Sequence, residues 1–104
     1  MLNEIIKNKI SDIDILCRRH KVAQLFAFGS VCTDKFNKDS DIDFLVSFHK
    51  NEIPAEDFAD NYFDLIFAFE KLFDKEVDLV SEGALRNPYF IKTMAKTKTP
   101  VYAG

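Results

Sequence analysis

The chain has 104 residues, of which 47% are hydrophobic and 30% charged, and a formal net charge of −3. A chain of that length forms one domain and buries roughly two thirds of its unfolded surface, which excludes disordered and fibrous classes. The negative balance argues against direct binding to DNA or RNA, which relies on clustered Lys and Arg, and no apolar run approaches membrane-spanning length.

The first segment, "MLNEIIKNKISDIDIL", carries charges every few residues. It does not fit a leader peptide, and the expected location is the cytoplasm. Leu2, Ile5, Ile6, Ile10, Ile13, Leu16 and Cys17 recur at spacings of three and four, which predicts a helix over 2–17. "KVAQLFAF" is a nearly continuous apolar run bounded by Gly29 and predicts a buried strand. "SVCTDKFNKD" leaves room for one helical turn and a loop, and "SDIDFLVSF" predicts a second strand. After Pro54, a stripe of Phe58, Tyr62, Leu65, Ile66, Phe69, Leu72 and Phe73 predicts the longest helix. "EVDLV" predicts a third strand. Asn87-Pro88 reads as an N-cap with proline at the first helical position, opening a short helix to about Lys96. The tail "TPVYAG" suits an edge strand, where proline is tolerated. Cys17 and Cys32 lack CxxC or zinc-type spacing and are expected as free thiols. His20 and His49 are read as surface residues, and Arg18 and Arg19 as complements to the dipole at the end of the first helix.

The tetrapeptide "SDID" occurs twice, at 11–14 and 40–43. On a helix, residues two apart diverge by about 200°, so Asp12 and Asp14 are expected as solvated charges. In a strand, residues two apart share a face, so Asp41 and Asp43 project together. At about 4 Å and an effective dielectric of about 20, such a pair costs on the order of 4 kcal/mol before screening. A hard divalent cation such as Mg²⁺ would offset that cost. Upstream, Gly29 permits close backbone approach, and Ser30 offers a hydroxyl at the start of a helical turn, a favourable place for phosphate. Asp78 in "EVDLV" supplies a third acid if its strand neighbours the Asp41–Asp43 strand.

Gly29-Ser30, ten intervening residues and then Asp41-Ile42-Asp43 resemble the GSx10DxD signature of the polymerase beta-like nucleotidyltransferases, with Asp78 where that superfamily keeps its third acid. Length narrows the resemblance to the minimal nucleotidyltransferases (MNT), and it covers nearly the whole chain. The resemblance implies a single α/β nucleotidyltransferase domain over 1–104, with a mixed central sheet and helices packed against it. It implies transfer of a nucleoside monophosphate, AMP from ATP being the expected case, to a hydroxyl acceptor. Asp41, Asp43 and Asp78 would hold Mg²⁺ or Mn²⁺, Asp78 would also help deprotonate the acceptor, and Gly29 and Ser30 would cradle the outer phosphates. Relatives often continue Gly-Ser with Arg-Ala-Arg-Gly, whereas this chain has Val31-Cys32-Thr33-Asp34, which leaves Lys35 and Lys38 to supply positive charge. MNT proteins are commonly encoded beside HEPN (higher eukaryotes and prokaryotes nucleotide-binding) ribonuclease toxins, so the resemblance implies an antitoxin that modifies such a partner. Two other readings are a non-catalytic antitoxin and a small-molecule nucleotidyltransferase working with a separate chain.

Phe63 and Phe67 lie about 140° and 180° from Phe58 on the long helix. They are expected to stack into an exposed patch flanked by Asp60 and Glu70, serving as an interface for a toxin subunit or a second copy of the chain.

Overall fold

The two most apolar runs become neighbouring strands, β1 (Val22–Phe28) and β2 (Ile42–Phe48), and everything else packs around them. The computed structural model describes residues 2–104. A third strand, β3 (Val77–Ser81), pairs parallel to β2, and the tail forms β4 (Thr99–Ala103) antiparallel to β1. The sheet is mixed, with order β3-β2-β1-β4, and Pro100 sits in an edge strand as its missing N–H requires.

Strand alternation divides the buried residues into two groups. On one face, Leu25, Ala27, Ile42, Phe44, Val46, Val77 and Leu79 meet the helices. These are α1 (Glu4–Lys7), α2 (Ile10–Arg19) and α3 (Phe58–Phe73). Ile6, Ile13, Cys17, Leu65, Phe69 and Phe73 are buried there. Phe44 lies 5.0 Å from Phe69 between ring centroids, so phenylalanines from strand and helix form the centre of this core. On the other face, Phe28 and Leu45 pack with Met94 of α4 (Pro88–Ala95). Asn87 caps that helix, its side chain accepting from the N–H groups of Tyr89 at 2.9 Å and Phe90 at 3.3 Å.

The single helix expected over 2–17 is two helices. The N–H of Asn8 still reaches the Glu4 carbonyl, but that of Lys9 donates to Ile6, only three residues back, at 3.0 Å. Lys9, with φ −117°, then leaves helical backbone before α2 begins. Ile6 and Ile13 are buried on either side of the break, so the apolar period runs through it unchanged. The break surfaces only at Ile10, which is 40% exposed.

Cys17 and Cys32 are buried free thiols, and burial, with the nearby Asp14 charge, pushes Cys17 up to about 12. Asp14 itself pairs with Arg18 at 3.1 Å on the surface of α2. The two histidines are half-buried rather than on the open surface: His20 Nδ1 donates to the Leu16 carbonyl at 2.8 Å, closing the end of α2. Among the described residues, no helix is long and apolar enough to cross a membrane.

Candidate active site

β1 ends at Phe28, and Gly29 turns the chain with φ +75° into one helical turn, Gly29–Cys32. A Cβ at Gly29 would fall 2.6 Å from Oδ2 of Asp43. Only glycine accepts both that backbone angle and that approach. The register explains the proximity, since Phe28 pairs with Asp43 on β2, and Asp43 pairs with Asp78 on β3. Asp43 and Asp78 therefore stand side by side on adjacent strands. Asp41 lies one residue outside β2, two before Asp43. The face they share is the one covered by α4, because the residues alternating with them, Ile42, Phe44, Val77 and Leu79, fill the opposite core.

Asp41 and Asp78 are exposed and Asp43 is half-buried. The Asp43 carboxyl is pushed up to about 6, first by burial and then by the negative charges of Asp78 and Asp41. The carboxylates thus feel one another electrostatically. Among the described residues, however, no three His, Cys, Asp or Glu side chains converge closely enough to enclose a metal ion by themselves. An open, all-oxygen donor set next to a glycine cradle suits a hard cation such as Mg²⁺ or Mn²⁺, which takes one or two carboxylates and completes its shell with water and phosphate oxygens.

The phosphate side departs from expectation in two details. The N–H of Gly29 already donates to the hydroxyl of Thr97 at 2.8 Å. Gly29 therefore contributes space rather than a free donor, and the half-buried Ser30 keeps the hydroxyl. Of the two lysines expected to supply charge, Lys35 lines a cavity of about 410 Å³ beside Gly29 and Ser30, whereas Lys38 does not. Lys96 joins Lys35 at that cavity.

Sequence reasoning missed two contributors. One is α4, which walls the cavity through Phe90, Thr93 and Met94. Its amphipathic pattern signals only that it packs, not that one edge stays open. The other is Lys75, whose ammonium donates to the carbonyls of Asn37 (3.3 Å), Lys38 (2.7 Å) and Ser40 (2.9 Å) and lies 5.0 Å from the Phe36 ring centre. It ties the start of β3 to the loop that delivers Asp41. A carbonyl cage of this kind leaves no mark in the sequence.

Phe63 and Phe67 are exposed as expected, at 53% and 63%. The patch is built differently, however. Phe63 packs edge-on against Tyr62, with centroids 5.4 Å apart, and Glu70 turns away to accept the N–H of Val77 at 3.1 Å. The Tyr62 hydroxyl donates to the Leu79 carbonyl, and burial together with the Asp78 charge holds its pKa above the ordinary value. A larger hollow of about 550 Å³ beside Phe63 has no charged side chain in its lining.

A small mixed sheet with a Gly-Ser turn and acids on neighbouring strands defines a nucleotidyltransferase. The nucleotidyltransferase domain family matches residues 13–99, and the chain belongs to it. Two relatives from Methanocaldococcus jannaschii are provisionally named protein adenylyltransferases, MJ1379 and MJ0128. They are 35% and 38% identical over 80 residues, which is 77% of this chain and 77% and 76% of theirs. Among solved structures, a provisionally assigned minimal nucleotidyltransferase superposes with a TM-score of 0.74 at 29% identity, covering 96% of both chains. A chain from a toxin-antitoxin crystal structure with AMP-PNP gives 0.67 at 20% identity, covering 93% of this chain and 73% of that one. A chain from the tri-AMPylated Shewanella oneidensis HEPN toxin in complex with MNT antitoxin gives 0.64 at 17%, covering 95% and 73%. At these last two identities the likeness is one of fold. The resemblance to minimal nucleotidyltransferases and the α/β fold expected from it both hold.

Proposed function

We propose that this nucleotidyltransferase moves AMP from ATP to a hydroxyl on a partner protein, and that the partner is a HEPN toxin which the chain neutralises as an antitoxin. The observation that supports the chemistry is the pairing of Asp43 with Asp78 across β2 and β3, with Asp41 two residues away and Gly29 against Asp43. Two relatives named as protein adenylyltransferases favour a protein acceptor over a small molecule. The toxin as partner rests on fold neighbours from toxin-antitoxin complexes, one with an AMPylated HEPN toxin.

Asp41, Asp43 and Asp78 are the residues that would hold Mg²⁺ or Mn²⁺, which when bound neutralises the triphosphate and stabilises pyrophosphate as it leaves. Asp78, exposed at the edge of the set, accepts the proton of the attacking hydroxyl. The acceptor oxygen then bonds to the α-phosphorus, and the bond from that phosphorus to the bridging oxygen breaks, the electron pair departing with pyrophosphate. Ser30 donates its hydroxyl to a phosphate oxygen, and Gly29 keeps the backbone clear of the Asp43 carboxylate. Lys35 and Lys96 attract the anionic nucleotide toward the acids.

Incubation with α-labelled ATP, Mg²⁺ and a candidate HEPN protein, sought in the neighbouring reading frame, tests the reading. Label should appear on a hydroxyl side chain of the partner, and Asp41→Asn with Asp43→Asn should abolish labelling while leaving the complex intact. A complex that forms and neutralises the toxin without any label would favour the non-catalytic antitoxin instead.

A further inference from the structure

One face of α3 stays clear of the core. Asp60, Phe63, Asp64, Phe67 and Lys71 are all exposed and fall within about 60° of Asp60 around the helix, on the side away from the buried Leu65, Phe69 and Phe73. The two phenylalanine rings stand at the middle of this stripe. Acids hold its N-terminal end and Lys71 its C-terminal end, and Asp60, Asp64 and Lys71 have no ion-pair partner among the described residues. On α2 the same order recurs: Asp12, Ile15 and Arg19 line a hollow of about 490 Å³ that Lys71 and Ala68 of α3 also border, and Ile15 is 51% exposed. The outer face of the two helices thus carries both signs of charge around an apolar centre.

We propose that this face binds a second copy of the chain, with α3 packing antiparallel on α3 about a two-fold axis that passes between Phe63 and Phe67. An isologous contact must be complementary to itself when turned through 180°. The stripe meets that condition: Asp60 and Lys71 lie three helical turns apart, about 16 Å, and Phe63 and Phe67 lie nearly midway between them. Reversing one helix on the other sets Asp60 of each copy against Lys71 of the other copy and brings the four rings together at the centre. A purely acidic or purely basic face would instead favour an unlike partner of opposite charge. Association removes the rings from water, and the ion pairs at the rim fix the register. The contact lies on the side of the sheet away from Asp41, Asp43 and Asp78, so both active sites of the dimer stay open. This goes beyond the transferase reading and does not depend on it.

Sedimentation equilibrium of the isolated chain up to about 100 μM, where a contact of micromolar Kd is formed, tests the proposal. The wild type should weigh as a dimer, and Phe67→Asp as a monomer whose circular dichroism matches wild type. Asp60→Lys and Lys71→Asp should each raise the dimer Kd by about tenfold or more, because the symmetry counts every charge reversal twice. An equal mixture of these two variants should associate as tightly as wild type, since each supplies the charge the other lacks. A wild type that stays monomeric over this range overturns the proposal, and so does a dimer that all three variants leave intact, or a mixture no tighter than its components. A monomeric wild type whose Phe67→Asp variant loses binding to the HEPN protein would overturn it as well and assign the face to the toxin. None of these outcomes bears on the transferase chemistry, which the labelling experiment decides.

Discussion

At the scale of single residues, Asp43 is held between the Gly29 backbone on β1 and Asp78 on β3. Its carboxyl is pushed from an ordinary value of 3.8 to about 6, so between those values the folded chain holds a proton that the unfolded chain has released. Stability of the metal-free protein should therefore fall as pH rises through that window, and the full penalty should persist above it. Below about pH 4 the penalty is absent. Asp43→Asn should accordingly be more stable than wild type in EDTA at neutral pH, by about 1 to 2 kcal/mol after allowance for solvent screening, and no more stable near pH 3.5. Mg²⁺ should stabilise the wild type and affect the variant less. Denaturant titrations with and without chelator measure both effects, and a variant weaker than wild type in EDTA at neutral pH would contradict the account. The acids themselves were legible from a spacing of ten residues and the two-residue period of a strand. The Gly29 to Thr97 bond was not, because nothing local to either residue reports a partner 68 positions away.

At the scale of elements, the long helix was legible from its repeat, β1 from a continuous apolar run, α4 from its Asn87-Pro88 cap and β4 from a tail that tolerates proline, because each signal is local to its segment. Such signals failed where two elements bury one continuous face, as α1 and α2 do, and where a loop is held by a distant side chain. Lys75 is the sharpest instance. Its three carbonyl contacts fix residues 37–40, and Lys75→Met should cost about 1 to 3 kcal/mol in a denaturation experiment and lower transferase activity by loosening Asp41. Lys75→Arg, which keeps donors and charge, should recover part of both; equal stability of Lys75→Met and wild type would remove the staple from the account. On α3, the proposed interface makes the opposite kind of claim. Phe63→Ala with Phe67→Ala should leave the isolated chain within about 1.5 kcal/mol of wild type, most of that from the lost Phe63–Tyr62 contact, yet weaken partner binding by about 2 kcal/mol or more. Sedimentation and melting of the same preparations separate the two effects, and a collapse in monomer stability would assign the rings to the core.

At the scale of the whole molecule, neither the strand order nor the division of labour between the two sheet faces can be read from any one segment. The acids share a face because β2 and β3 run parallel in a register that pairs residue 43 with residue 78, and that register is decided by the fit of Ile42, Phe44, Val77 and Leu79 against α2 and α3. The core face thus sets the geometry of the reactive face. The C-terminal segment has a different part: α4 walls the cavity, Thr97 holds the Gly29 amide, and β4 is an edge strand bound on one side only. Local opening costs least where few buried apolar contacts hold a segment, and β4 has no residue in the buried core. If β4 and the Thr97 link detach from β1 together, the wall of the cavity and the Gly29 N–H would be released in one event. Native-state hydrogen exchange would then find the Gly29 amide opening in step with those of residues 101–103 rather than with the rest of β1, and all of them slowing together once nucleotide is bound.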